Sequence, residues 1–289
     1  MKIDNLEKVG VIGAGMMGAE IALCFARAGY ETVLCDVSLD LAERGKKKQE
    51  EALDRSIKKG KLEAAQKEEI LARVAPAAGL EAVSRCGFIV EAVLEELEVK
   101  SHLFAELDGI CRGDAVIASN TSSISITKLA SAVSQKRAGR FIGAHFNSPA
   151  SVMKLVEVIP GLLTDGNTVK GVMALLAAIG QEPVLVKDVT GFALNRIFHC
   201  MYLEACRLVE EGVCSPEDAD KICKFGLGHP MGIFKLLDIT GHDLNQRVDQ
   251  ILFDAYGDRF RPSPQIQRLV DAGRLGRKTG AGFYDYGEK

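Results

Sequence analysis

Residues 9–36 read VGVIGAGMMGAEIALCFARAGYETVLCD, and no other stretch restricts the possible folds so tightly. An apolar run (Val9, Val11, Ile12) enters Gly13-Ala14-Gly15-Met16-Met17-Gly18. A helical pattern follows (Ile21, Ala22, Phe25, Ala26) and stops at Gly29. A second strand, Thr32 to Cys35, ends on Asp36. Strand, glycine turn, helix, strand, acid is an order in which each part has a task on a dinucleotide. Gly13 permits a tight turn, Gly15 lets a pyrophosphate approach the backbone, and Gly18 lets helix and strand pack closely. The helix N-terminus offers amides to the phosphates, and Ala14, Met16 and Met17 supply the rest of that loop. Asp36 lies 18 residues beyond Gly18, near the spacing of the acid that bonds the adenosine ribose. A carboxylate there accepts from a 2′-hydroxyl and repels a 2′-phosphate, and Val37-Ser38 rather than an arginine follows it. The expected cofactor is therefore NAD in preference to NADP.

The chain has 289 residues, which favours two domains. Its net charge of −3 gives no global attraction to nucleic acid. Lys46-Lys47-Lys48, Lys58-Lys59 and Lys61 form local basic clusters among acids. They read either as a solvated helix face or as a dock for an anionic, phosphate-bearing ligand. None of the eight cysteines forms C-x-x-C, so they are expected as reduced thiols, with no disulfide set and no metal site. No apolar segment approaches membrane-spanning length, and the first five residues run almost directly into the first strand. The expected compartment is the cytoplasm, with no membrane partner.

After Asp36, the charged, alanine-rich residues 39–72 are divided by Gly60, which predicts an inserted helical hairpin. Further strands are expected at residues 87–93, 115–118, 141–145, 154–159 and 183–187, with helices at 99–110 and 168–179 between them. This alternation predicts an α/β fold with a Rossmann-type, mostly parallel sheet, whose ligands sit beyond the strand C-terminal ends. Asp36, Glu91, Ser122 and His145 all fall at or near such ends. The pattern changes at Asp188-Val189-Thr190-Gly191, and amphipathic helices dominate beyond it. The expected domains are residues 1–190, which bind the dinucleotide, and residues 191–289, all helical.

Hydride transfer between an alcohol and NAD needs a base for the hydroxyl proton. His145 ends one expected strand and Glu157 lies on the next, twelve residues later. A carboxylate on one ring nitrogen would fix the tautomer and leave the other nitrogen for a substrate proton. From spacing alone, a histidine at a strand end is more often structural.

Several motifs recur in one order: the glycine turn; Glu91-Ala92-Val93 with Glu95 and Lys100; Ser119-Asn120-Thr121-Ser122-Ser123; Ala144-His145-Phe146; Val152 to Val158 around Glu157; Gly191-Phe192 with Asn195-Arg196; His229-Pro230-Met231-Gly232; and Arg277 to Tyr284. In this the chain resembles the L-3-hydroxyacyl-CoA dehydrogenase family from about residue 8 to the C-terminus, most of all its short, single-function bacterial members acting on 3-hydroxybutyryl-CoA. The resemblance implies that His145 is the catalytic base and Glu157 its orienting carboxylate. Ser122 would bond the reacting oxygen and contact both cofactor and acyl-CoA, with Asn195 beside that oxygen. Glu95, Lys100, Ser148 and Lys278 would contact the cofactor, and Lys59 the CoA phosphates, where Ala52 replaces a serine of a relative. It further implies an acyl-CoA substrate held in the cleft between the domains, and a homodimer through the C-terminal helical domain. Two rival readings share the scaffold: a dehydrogenase of sugar acids such as gulonate, and a non-catalytic NAD-binding protein.

Overall fold

The structure, a computed structural model, describes residues 6–287. Eight strands form one sheet: β1 (Lys8–Ile12), β2 (Glu31–Asp36), β3 (Val74–Ala78), β4 (Phe88–Glu91), β5 (Val116–Ser119), β6 (Phe141–Phe146), β7 (Leu155–Pro160) and β8 (Glu182–Leu185). Their spatial order is β3-β2-β1-β4-β5-β6-β7-β8, and every neighbouring pair is parallel except β6 with β7. The helices α1 (Met16–Arg27), α2 (Leu39–Lys58), α3 (Ala64–Ala72), α4 (Leu97–Ile110), α5 (Ile126–Ala130), α6 (Gln135–Ala138) and α7 (Gly166–Ala178) connect them. Contacts divide the chain into two compact units, one ending at Val189 and the other beginning at Thr190.

The central strands are near-continuous apolar runs because helices cover both faces of a parallel sheet. Val9, Val11, Phe88 and Val90 are fully buried in one core with Ile21, Ala22 and Phe25 of α1. The expected helical hairpin is α2 and α3, joined through Gly60, whose φ of +65° suits glycine. Ser38 starts α2 by accepting the Leu41 amide on its hydroxyl.

Two features go beyond the sequence expectation. Strand β3 was not foreseen, because Val-Ala-Pro-Ala-Ala carries little strand propensity and a central proline. Pro76 pairs with Leu34, but β3 is the outermost strand, so an N–H missing from its open side breaks no ladder. The β6–β7 pair is antiparallel because a connection of eight residues is too short for a crossover helix. That reversal sets His145 directly opposite Glu157.

The second unit holds α8 (Leu194–Glu210), α9 (Pro216–Lys221), α10 (Ile233–Thr240), α11 (His242–Tyr256) and α12 (Pro264–Asp271). Among its described residues only isolated bridges occur, at Gly276–Ala281 and Ala281–Asp285. Its core gathers Tyr202, Leu203, Cys206, Phe234, Leu237, Leu252 and Phe260. Ser215 caps α9 by accepting the Asp218 amide, with Pro216 in the first turn. The C-terminal segment is tied down by one buried carboxylate. Asp238 accepts from the amides of Phe283 (2.9 Å) and Tyr284 (3.0 Å), the hydroxyl of Tyr286 (2.8 Å) and Nε2 of His242 (2.7 Å). Burial opposes its ionisation, yet these four donors hold the carboxyl below the usual 3.8.

Candidate active site

The glycine loop emerges from β1 and opens α1. Gly13 has φ +93°, and a Cβ there would lie 2.5 Å from the Ala92 carbonyl oxygen. A Cβ at Gly18 would lie 1.7 Å from the Gly13 carbonyl oxygen, so the helix packs on the loop at glycine distance. A Cβ at Gly15 would meet nothing within 4 Å, which leaves open space over the N-terminus of α1. Among the described residues no side chain caps that terminus, so its amides suit an anion. Asp36 takes the Ala14 amide on Oδ2 (2.7 Å) and the Val37 amide on Oδ1 (2.7 Å). Each carboxylate oxygen keeps a second acceptor site for a ribose hydroxyl. This cradle suits a dinucleotide: room for a pyrophosphate at Gly15, donors beneath it, and an acid at the end of the next strand. Met16 stands exposed beside it, and the Ser148 hydroxyl lies 3.8 Å from its sulfur.

The next strand end carries a charged network. Glu91 is fully buried; its Oε1 accepts from Lys100 Nζ (2.5 Å) and the Val93 amide (2.7 Å), and its Oε2 from the Ser119 hydroxyl (2.6 Å). Lys100 Nζ is also 3.3 Å from Glu95 Oε2. Glu95 Oε1 accepts from the Thr121 hydroxyl (2.5 Å), the Ser122 amide (2.8 Å), and the Ser123 amide and hydroxyl (both 3.0 Å). Burial works against ionising Glu95, but Lys100 and these donors outweigh it and hold the carboxyl below its ordinary range. Removing one partner of a buried pair such as Glu91–Lys100 costs about 3–5 kcal/mol, because the other charge is stranded.

At the neighbouring strands, Ser119 of β5 pairs with Gly143 of β6. The Ser122 loop and the end of β6 therefore leave the sheet on the same side. The Asn120 side-chain oxygen accepts the Phe146 amide at 2.8 Å and ties the two together. His145 Nδ1 and Glu157 Oε2 are 2.8 Å apart; His145 is 6 % exposed and Glu157 1 %. Directly opposed antiparallel residues share a face of the sheet, which brings the imidazole and carboxylate together. A carboxylate on Nδ1 keeps the proton there and makes Nε2 the basic nitrogen of the neutral ring.

The loop from β6 to β7 is fastened to α1 at Ala150. Its amide donates to Glu20, and its carbonyl accepts the Cys24 thiol at 3.4 Å. Burial pushes the Glu20 carboxyl upward, against the amides of Ala150 and Ser151 and the charge of Arg55. Beside this loop, among α1, α2 and α3, lies a cavity of about 700 Å³. Arg27, Arg55, Lys59, Lys61 and Arg73 line it against two carboxylates, Glu20 and Glu69; Ala52 also faces it. An excess of cations suits a phosphate-bearing ligand. Of the basic residues noted in the sequence, Lys59 and Lys61 reach this cavity, whereas Lys46 is used structurally, on the Val74 carbonyl at 2.8 Å.

Asn195 and Lys278 belong to the second unit. Asn195 lies in the first turn of α8, and Lys278 Nζ is 2.5 Å from Asp243 Oδ1. Sequence reasoning gave no task to Asn120, and placed Glu91 only at a strand end. The signal for Glu91 was an acid closing the otherwise apolar run Phe-Ile-Val-Glu.

Comparison with known proteins follows the same division. Residues 8–189 match the family model described as 3-hydroxyacyl-CoA dehydrogenase, NAD binding domain, and residues 191–286 match its C-terminal domain. A 3-hydroxybutyryl-CoA dehydrogenase of Bradyrhizobium diazoefficiens is 40 % identical over 282 residues, covering 97 % of this chain and 96 % of that protein. A 3-hydroxyadipyl-CoA dehydrogenase of Escherichia coli (strain K12) is also 40 % identical, over 98 % of this chain and 59 % of that protein. The crystal structure of an (S)-3-hydroxybutyryl-CoA dehydrogenase from Ralstonia eutropha superposes with a TM-score of 0.92 at 40 % identity, covering 98 % of this chain and 100 % of that one.

Proposed function

We propose that this chain, which belongs to the 3-hydroxyacyl-CoA dehydrogenase family, interconverts an (S)-3-hydroxyacyl-CoA and its 3-ketoacyl-CoA with NAD, with 3-hydroxybutyryl-CoA and acetoacetyl-CoA as the short-chain pair. The observation that carries this reading is the 2.8 Å contact between His145 Nδ1 and Glu157 on paired strands. NAD, when bound, supplies the hydride acceptor at the substrate carbon. Gly13 to Gly18 and Asp36 would hold it, with further contacts from Glu95, Lys100, Ser122, Ser148 and Lys278. His145 Nε2 takes the 3-hydroxyl proton in oxidation and returns it in reduction. Glu157 steadies the imidazolium that forms in between, as a buried carboxylate does for a neighbouring cation. Ser122 donates to the reacting oxygen, where negative charge develops as a ketone is reduced, and Asn195 is assigned to the same oxygen.

The cation-lined cavity supports CoA over a free sugar acid, since a sugar acid brings one carboxylate where CoA brings three phosphate groups. Lys59 is assigned to those phosphates, with Arg55 and Lys61 available where Ala52 offers no hydroxyl. For the second unit we propose substrate binding and homodimer formation; exposed Ile197, Phe225 and Leu227 supply apolar surface for the latter. No helix among the described residues is long and apolar enough to cross a membrane, and the proposed compartment is the cytoplasm. The test is NADH oxidation with acetoacetyl-CoA and longer 3-ketoacyl-CoAs, beside NAD reduction with free sugar acids such as gulonate. Turnover confined to the sugar acids would overturn the assignment of CoA.

A further inference from the structure

The cation-lined cavity contains a carboxylate of the wrong sign for phosphate. Glu20, on α1, faces the cavity of about 700 Å³ together with Arg55 and Lys59. It also faces a smaller cavity of about 170 Å³ beside Met16 and Lys48, and Ala52 and Arg55 are shared by both. Glu20 therefore stands on the partition between the two spaces. A glutamate on an open surface could swing its charge away from an arriving anion, but this one is held. Its Oε2 accepts the amide of Ala150, and the Ala150 carbonyl accepts the thiol of Cys24, one turn further along the same helix. Ala150 is buried, so α1 grips the β6–β7 loop at a fixed point and the Glu20 carboxylate is fixed with it. The charge of Arg55 favours the ionised form of Glu20 without neutralising the wall it belongs to.

We infer that Glu20 sets the affinity for CoA from the negative side: it fixes an anion in the cavity wall and holds phosphate binding below what the surrounding arginines and lysines alone would give. The reason is Coulombic. A carboxylate fixed across a cavity of this size from a phosphate, in a medium between protein and water, weakens binding about three- to tenfold at low ionic strength. Substrate, transition state and product all carry the same phosphates, so the repulsion is uniform. It raises KM and hastens release of the CoA thioester without entering the chemical step. This role for Glu20 rests on the assignment of the cavity and Lys59 to the CoA phosphates, and on no geometry beyond the first unit.

The test is Glu20→Gln, whose amide oxygen can still accept from Ala150, so the loop keeps its anchor while the charge is lost. Calorimetry with free CoA, in the absence of cofactor and turnover, reads the affinity at low and at high salt. The dissociation constant is expected to fall about three- to tenfold at low salt, and the difference from the wild type to narrow below about twofold at high salt. The KM for acetoacetyl-CoA should fall by the same factor. A second measurement needs only the wild type: an NMR titration of the Glu20 carboxyl with and without CoA. Linkage is reciprocal, so if ionised Glu20 repels CoA, bound CoA must raise the Glu20 pKa by the logarithm of the same factor. Unchanged or weaker CoA binding in Glu20→Gln would overturn the role proposed for Glu20; weaker binding would make it an acceptor for a donor group of CoA instead. A Glu20 pKa that stays constant or falls when CoA binds would overturn it equally. Lys59→Ala in the same assay tells this failure from that of the cavity assignment. If Lys59→Ala weakens CoA binding while Glu20→Gln changes nothing, the phosphates lie in the cavity and only the role of Glu20 is wrong. If neither substitution matters, the cavity does not hold CoA, and the role of Glu20 falls with it.

Discussion

Substituting Gly15 and Gly18 by alanine separates the folding role of the glycine loop from its binding role. At Gly18 an added Cβ would stand 1.7 Å from the Gly13 carbonyl oxygen and 2.9 Å from the Gly13 carbonyl carbon. A carbon–oxygen contact relaxes at about 3.3–3.6 Å, so helix and loop must part by roughly 1.6 Å. Neither side is a flexible side chain. Both are backbone, in a segment whose α1 residues Ile21, Ala22 and Phe25 are fully buried. Overpacking of this kind costs about 1–3 kcal/mol. For a chain of this size each kcal/mol lowers Tm by about 2–4 °C, which gives a fall of about 2–12 °C for Gly18→Ala. Gly15 has φ −63°, which alanine adopts freely, and its Cβ would point into open space. Gly15→Ala should therefore lose only the difference between glycine and alanine at an N-cap, about 0.5–1 kcal/mol or roughly 1–4 °C. That methyl would occupy the approach of the pyrophosphate, so the same variant should bind NADH at least about tenfold more weakly, a loss of roughly 1.4 kcal/mol. Thermal melting by circular dichroism and titration of NADH fluorescence read the two effects separately. A Gly18→Ala protein that melts like the wild type, or a Gly15→Ala protein with unimpaired NADH binding, would refute this division of labour.

Three further outcomes follow from named contacts. Asp36→Asn removes the charge that repels a 2′-phosphate, so the preference for NADH over NADPH should narrow about tenfold or more, read as the ratio of kcat/KM values; an unchanged ratio would show that selectivity lies elsewhere. Lys59→Ala should raise the KM for acetoacetyl-CoA several-fold with little change in kcat, and the KM of the wild type should climb with salt as the cavity's cations are screened, on the order of tenfold between low and high ionic strength. A salt-insensitive KM would argue against phosphate binding there. Asp238 has a depressed carboxyl pKa, so it contributes stability above its unfolded value near 3.8, and that contribution fades as pH falls through the lower folded value. Asp238→Asn should melt well below the wild type at pH 7, and the difference should shrink below about pH 4; a gap constant with pH would mean that its charge is irrelevant.

Much of the fold is written in local signals. The glycine turn, the apolar runs of β1, β4 and β5, and the hairpin divided at Gly60 are each set by residues close in sequence, so periodicity reveals them. Strand β3 is different: Pro76 forbids it by propensity, and only its edge position permits it, a fact of the whole sheet. In the same way, an eight-residue connection announces that β6 and β7 are neighbours, but their register, which sets His145 opposite Glu157, depends on long-range pairing. Glu91 was visible as an acid closing an apolar strand, yet its partners Lys100 and Ser119 lie 9 and 28 residues away. The cation-lined cavity drew on Arg27, Arg55, Lys61 and Arg73 as well as Lys59, and no linear spacing announces that three helices gather them.

The most direct test of the account is the rate of NADH oxidation with acetoacetyl-CoA, compared between the wild type and His145→Gln under saturating conditions. The wild type should turn over the substrate, and the variant should lose about two to four orders of magnitude in kcat, the scale of a general acid–base group, while its affinity for NADH stays near that of the wild type. A His145→Gln protein with near-normal kcat would contradict the proposed mechanism at its centre.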